Sequence, residues 1–166
     1  MQLILIGFMG SGKSTVGNLL GRRHDLPVID LDQAIEEAAG QTIPEIFADH
    51  GEAYFRKLEH QVLGAVIDQP GILATGGGTP LREDNQALLQ SSAVPVIHLR
   101  ASAKETLARI GNAKNRPLAK GLDQAGIEAL KKQRHQAYQA CADYTIETNH
   151  LSPMEVALAI EARVRF

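Results

Sequence analysis

Residues 3–15 read LILIGFMGSGKST, and few stretches restrict a fold as tightly. An unbroken apolar run such as Leu3–Ile6 suits a strand buried on both faces, as in a parallel sheet. Gly7-Phe-Met-Gly-Ser-Gly-Lys13-Ser14 then has the phosphate-loop spacing G-x-x-x-x-G-K-[ST]. Glycines there let backbone N–H groups converge on phosphate oxygens with no Cβ in the way. A helix over Lys13–Arg23 would point the positive end of its dipole at the anion. Gly10, Ser11, Gly12, Lys13, Ser14 and Thr15 are the expected nucleotide cradle. Lys13 is read as a flexible, surface-facing cation at the outer phosphates, and Ser14 as a hydroxyl ligand for Mg²⁺.

The rest of the chain repeats the alternation. Gln2–Ile6, Pro27–Asp30, Gly71–Ala74, Val94–Leu99 and Tyr144–Glu147 read as strands, again as apolar runs. Helical patterns lie between them. Asp32–Ala39 ends at Gly40, Thr42-Ile-Pro-Glu45 is a capping box, and Phe55, Leu58, Val62 and Val66 mark one helix face. Ser102-Ala-Lys-Glu105 and Ser152-Pro-Met-Glu155 are two further boxes. The pattern predicts an α/β fold of three layers, with a parallel sheet between helices and ligands beyond the carboxyl ends of the strands. The 166 residues suit one domain spanning 1–166.

Composition narrows the partners. A net charge of −2 offers no basic surplus for nucleic acid, and 4% aromatic residues provide little surface for base stacking. No apolar stretch approaches the roughly 20 residues that span a bilayer, and no signal peptide is visible, so a cytoplasmic protein is expected. The single cysteine, Cys141, reads as a buried apolar residue, and the six histidines show no metal-ligand spacing.

Two more turns carry chemistry. VIDLDQAIEE places Asp30 at a strand end and Asp32 at the next helix start. One of the two can hold hydrated Mg²⁺, with Asp30 the available candidate at a strand end, and the other can take a substrate hydroxyl proton. ILATGGGTP sets Gly76, Gly77 and Gly78 after the third strand, where they would allow a ligand close to the backbone. Arg56, Arg109, Arg116 and Arg134 are the arginines of interest. Arg116 lies in a polar stretch from Gly111 to Gly121 that could close as a lid, and the segment 32–59, with little aromatic surface, favours a small polyol acid.

In order and spacing, GFMGSGKST, the Asp30/Asp32 pair, GEAYFRKLE, ATGGG, NRPL and RHQAY…AD resemble the shikimate kinase family over about Ile4–Thr148. The resemblance implies a nucleoside-monophosphate-kinase-like P-loop fold with a five-stranded parallel sheet, a lid over about 111–124 and a substrate region over about 32–60. It implies a monomer that uses ATP, with Mg²⁺, to phosphorylate the 3-hydroxyl of shikimate. Asp32 would bind the substrate hydroxyls and be the candidate base. Arg56 and Arg134 would hold the carboxylate, and Gly77, between Gly76 and Gly78, would touch the substrate. Arg116 would reach the ATP phosphates with Lys13, and Arg109 would lie along the adenine. Asn149 and His150 stand where many family members carry an arginine near the adenine. A related kinase, such as a gluconate kinase, and a nucleotide-binding regulator without transfer activity are the competing readings.

Overall fold

The computed structural model describes residues 1–110 and 123–166. Five strands, β1 (Leu3–Ile6), β2 (Val28–Asp30), β3 (Ile72–Ala74), β4 (Val96–Arg100) and β5 (Tyr144–Glu147), form one all-parallel sheet in the order β2-β3-β1-β4-β5. The order places β1 at the centre, where Leu3, Ile4, Leu5 and Ile6 are fully buried. Side chains alternate across a strand, so these four divide between two cores. Leu3 and Leu5 pack with Val16 and Leu20 of α1 (Lys13–His24) and with Val156 and Ile160 of α7 (Pro153–Glu161). Ile4 and Ile6 face Leu31 and Ile35 of α2 (Leu31–Ala39), Phe55 and Leu63 of α3 (Ile43–Val66), Leu89 of α4 (Glu83–Ser91) and Tyr138 of α6 (Gln124–Cys141). Helix α5 (Ala103–Ile110) completes the labelled elements, and Thr79–Leu81 form a short 3₁₀ turn.

Departures from the sequence expectations have identifiable structural causes. Helix α2 starts at Leu31, because Asp30 ends β2 and also caps the helix: its carboxylate accepts from the N–H groups of Asp32 and Gln33. Helix α3, from the Thr42 capping box to Val66, is two helical stretches that meet in a kink at Gly51, whose non-helical φ of 78° is open to glycine. Strand β5 is not an apolar run: it is the sheet edge, and only Ile146 of its four residues is buried. The Ser102 box is half formed. The Glu105 N–H donates to the Ser102 hydroxyl, but the Glu105 carboxylate accepts from Arg109.

Candidate active site

The loop between β1 and α1 is shaped by close contacts. Gly7 has a φ of 148°, and a Cβ there would run into the Leu99 carbonyl of β4. Gly12 caps α1 in the left-handed conformation with no side-chain hydrogen bond to the first turn, which leaves that turn's N–H groups directed at an incoming anion. The Ser11 hydroxyl is buried with no hydrogen-bond partner among the described residues. Lys13 departs from expectation. It is not a surface cation but 8% exposed, and its ammonium donates to the carbonyls of Gly7 at 2.8 Å and Phe8 at 3.1 Å. An ammonium carries three donors and is costly to bury unpaired, so it folds onto the loop it serves. Phe8 points the other way into a small core with Ala103, Ile110 and Ile127, below the cations of Lys131 and Arg134, each 5.2 Å from its ring centre.

Beside this loop the Ser14 hydroxyl donates to Asp30 Oδ2 at 2.7 Å. One hydroxyl and one carboxylate in contact at the cleft suit Mg²⁺, which takes one or two carboxylates and completes its shell with water and phosphate oxygens. Among the described residues no cluster of three or more His, Cys, Asp or Glu offers an all-protein metal cage.

The acceptor side is built around Gly76–Gly78. Arg56, on α3, donates to Glu59 at 3.0 Å and more weakly to Glu52 at 3.4 Å. Glu59 is only 1% exposed, and its other oxygen accepts from the Thr79 hydroxyl at 2.9 Å. Asn85, fully buried, donates to the Thr79 carbonyl at 2.9 Å. The buried carboxylate thus fixes a guanidinium on one side and the glycine loop on the other. Glu59, Thr79 and Asn85 were absent from the expected site. Glu59 has a sequence signal, because it sits three residues after Arg56 on one helix face. The approach that the three glycines permit is made by the protein itself: a Cβ on Gly76 would lie 2.7 Å from Asp32 Oδ1, and one on Gly78 2.5 Å from the Arg56 guanidinium.

These pieces surround one cleft of about 290 Å³ beyond the carboxyl ends of β1, β2 and β3. Lys13, Ser14, Asp30, Asp32, Arg56, Gly76, Gly77, Gly78 and Arg134 all line it. Its wall also includes Phe47 and Phe55, a tilted pair with ring centres 4.8 Å apart, so the region is more aromatic than its sequence suggests. Arg109 lies outside this cleft. Glu105 holds it against the Gly10 carbonyl and against both the hydroxyl and the carbonyl of Thr148. Arg116 and the expected lid, apart from residues 123 and 124, lie outside the described residues.

A family model for shikimate kinase matches residues 9–165. The chain belongs to the shikimate kinase family. Among curated relatives, the shikimate kinase of Limosilactobacillus fermentum is 54% identical over 166 residues, covering 99% of this chain and 96% of that protein. The shikimate kinase of Enterococcus faecalis is 40% identical, covering 93% of each. Among solved structures, shikimate kinase from Acinetobacter baumannii in complex with shikimate matches with a TM-score of 0.89 at 33% identity, covering 99% of this chain and 95% of that one. The Aquifex aeolicus shikimate kinase matches at 0.82 and 36%, covering 98% and 95%. Within a shikimate kinase framework, Asn149 braces the chain locally. Its side-chain oxygen accepts from the Ser102 N–H at 2.7 Å, just before α5. His150 takes a left-handed turn with φ of 59°.

Proposed function

We propose that this chain transfers the γ-phosphoryl group of ATP to the 3-hydroxyl of shikimate. The observation that carries the reading is the single cleft in which Lys13 and Ser14 face Asp32, Arg56 and Arg134. In the step itself, the acceptor oxygen forms a bond to the γ-phosphorus as the bond to the β,γ-bridging oxygen breaks. ADP leaves, and the hydroxyl proton passes to Asp32. Such transfer needs positioning and neutralisation of charge more than covalent help from the protein.

Each side chain has a role suited to its chemistry. Arg56 and Arg134 hold the carboxylate, since a guanidinium fork makes paired, charge-assisted hydrogen bonds to it. Asp32 orients the hydroxyl and accepts its proton. Lys13 exchanges the Gly7 and Phe8 carbonyls for phosphate oxygens, and the uncapped first turn of α1 binds the same phosphates. Arg116 and the lid, read from the family resemblance, would add charge at the phosphates and exclude water. Arg109 would lie along the adenine. Ser14 and Asp30 would hold Mg²⁺, which when bound would neutralise charge on the phosphates.

The protein is read as a cytoplasmic monomer. No helix among the described residues is long and apolar enough to cross a membrane, and sedimentation would check the oligomeric state. The deciding assay is ADP formation with Mg²⁺ and ATP in the presence and absence of shikimate, beside a panel that includes gluconate and nucleoside monophosphates. ADP release that needs shikimate is expected. Equal release without it, or a preference for another acceptor, would overturn the reading.

A further inference from the structure

We propose that Tyr138 is a positioning residue for the acceptor substrate, setting the distance between the glycine loop and the helix that carries Arg134. The inference rests on the shikimate kinase reading and adds to it a residue that does not itself line the cleft. Tyr138 is 3% exposed, and its hydroxyl donates to the Gly77 carbonyl at 2.6 Å. Its ring stacks on His98 of β4, with centres 4.7 Å apart and planes 21° from parallel.

Two features make this bond more than core packing. Arg134 lies four residues earlier on α6, so both side chains leave the same face of one helix. One residue therefore grips the glycine loop while its neighbour one turn away reaches the cleft. The opposite side of Gly77 rests on the nucleotide loop, where an added Cβ would lie 3.3 Å from the Met9 nitrogen. Thr79, two residues on, is held from α3 by Glu59 and from α4 by Asn85. Tyr138 supplies the hold from α6. Burial pushes the phenol up to about 12, so it remains a donor throughout the neutral range.

Without the hydroxyl, the Gly77 carbonyl loses its partner and the loop samples arrangements that do not match Arg134. Apparent affinity falls by the fraction of molecules left in the competent arrangement. The test is Tyr138→Phe, which keeps the ring and its stack on His98. The shikimate KM is expected to rise about five- to tenfold, the scale of one net hydrogen bond, while kcat and the ATP KM stay within about twofold. Amide exchange in residues 75–81 should accelerate in the variant and return to the wild-type rate at saturating shikimate. An unchanged shikimate KM, or equal rises in both KM values with faster exchange along all of α6, would reduce Tyr138 to packing and overturn the proposal. Wild-type protein with no shikimate-dependent ADP release would instead overturn the functional reading on which the proposal rests.

Discussion

His98 gives the molecule an acid-sensitive point whose size follows from its surroundings. It is the third residue of β4, paired in register with Ile6 on one side and Thr145 on the other, and it is 4% exposed. Burial lowers its affinity for a proton first, and the positive charges of Arg100, His135, Lys13 and Lys131 add to this, bringing the imidazole from 6.5 to about 4. Between those values the unfolded chain holds a proton at this site and the native chain does not. Stability is therefore complete above about pH 6.5, is lost as pH falls from there to about 4, and is flat in this respect below. A difference of about 2.5 units at 1.36 kcal/mol each makes the loss about 3 kcal/mol, a large share of the 5–15 kcal/mol typical of a domain. The carboxylates held low by hydrogen bonds, Asp84 at about 2 and Glu45, Glu155 and Glu161 below their ordinary value, act mainly at lower pH. Urea unfolding at intervals between about pH 4.5 and 7.5, on wild type and His98→Phe, isolates the histidine. The variant keeps a ring against Tyr138 but cannot titrate, and the other five histidines cancel in the difference. Wild type should lose about 2.5 kcal/mol more than the variant across this window, which stops short of the lower value. Parallel curves would refute this account of His98.

Three further substitutions probe the cleft. Gly78→Ala leaves the backbone unstrained, at φ −97°, but drives a methyl into the Arg56 guanidinium; the shikimate KM should rise about tenfold with the ATP KM nearly unchanged, and steady-state kinetics would reveal a wild-type value if Arg56 has no part in the site. Asp32→Asn should lower kcat by about 10²–10⁴-fold while ATP affinity, followed by calorimetry, changes little. Lys13→Met should cut turnover by about 10²–10³-fold. It should also lower the melting temperature in a thermal-shift assay, because the Gly7 and Phe8 carbonyls lose a buried donor.

What the sequence disclosed depended on whether the cause was local. The spacing Gly7–Ser14, the β-type runs and the Thr42 and Ser152 boxes are decided within a few residues, and the strands and helices lie where those signals stand. Asp32, Gly76, Gly77 and Gly78 come to one cleft with Lys13 because the strand order brings their turns to one edge of the sheet, and Arg56 of α3 and Arg134 of α6 reach it from within their helices. Long-range partners were invisible. That Lys13 is buried depends on two carbonyls and the surrounding loop, not on its identity. That Glu105 serves Arg109 rather than the Ser102 cap depends on Thr148 and Gly10 fixing the guanidinium from distant parts of the chain. Tyr138 ends the RHQAY segment of the family resemblance, but nothing in that segment shows what its hydroxyl binds, because the partner lies 61 residues away.

The glycine triplet shows how those distant partners change the meaning of a motif. As a string, GGG suggests flexibility. In the fold, none of Gly76, Gly77 and Gly78 takes a positive φ, so backbone conformation does not require glycine at these positions. Space favours it. A Cβ on Gly76 would displace the Asp32 carboxylate and one on Gly78 the Arg56 guanidinium, while one on Gly77 would fit only tightly, 3.3 Å from the Met9 nitrogen. Glu59, Asn85 and Tyr138 then hold the loop by Thr79 and Gly77 from three different helices. A loop with this many fixed neighbours has little freedom left to lose when a ligand arrives, so less of the binding free energy goes into ordering it. The same contacts join the two halves of the cleft. Gly77 touches the nucleotide loop, Gly76 touches the proposed base, and Gly78 touches a proposed carboxylate-binding arginine. A displacement of the triplet therefore disturbs acceptor alignment before it disturbs the fold, since the buried strands on either side are held by their own cores.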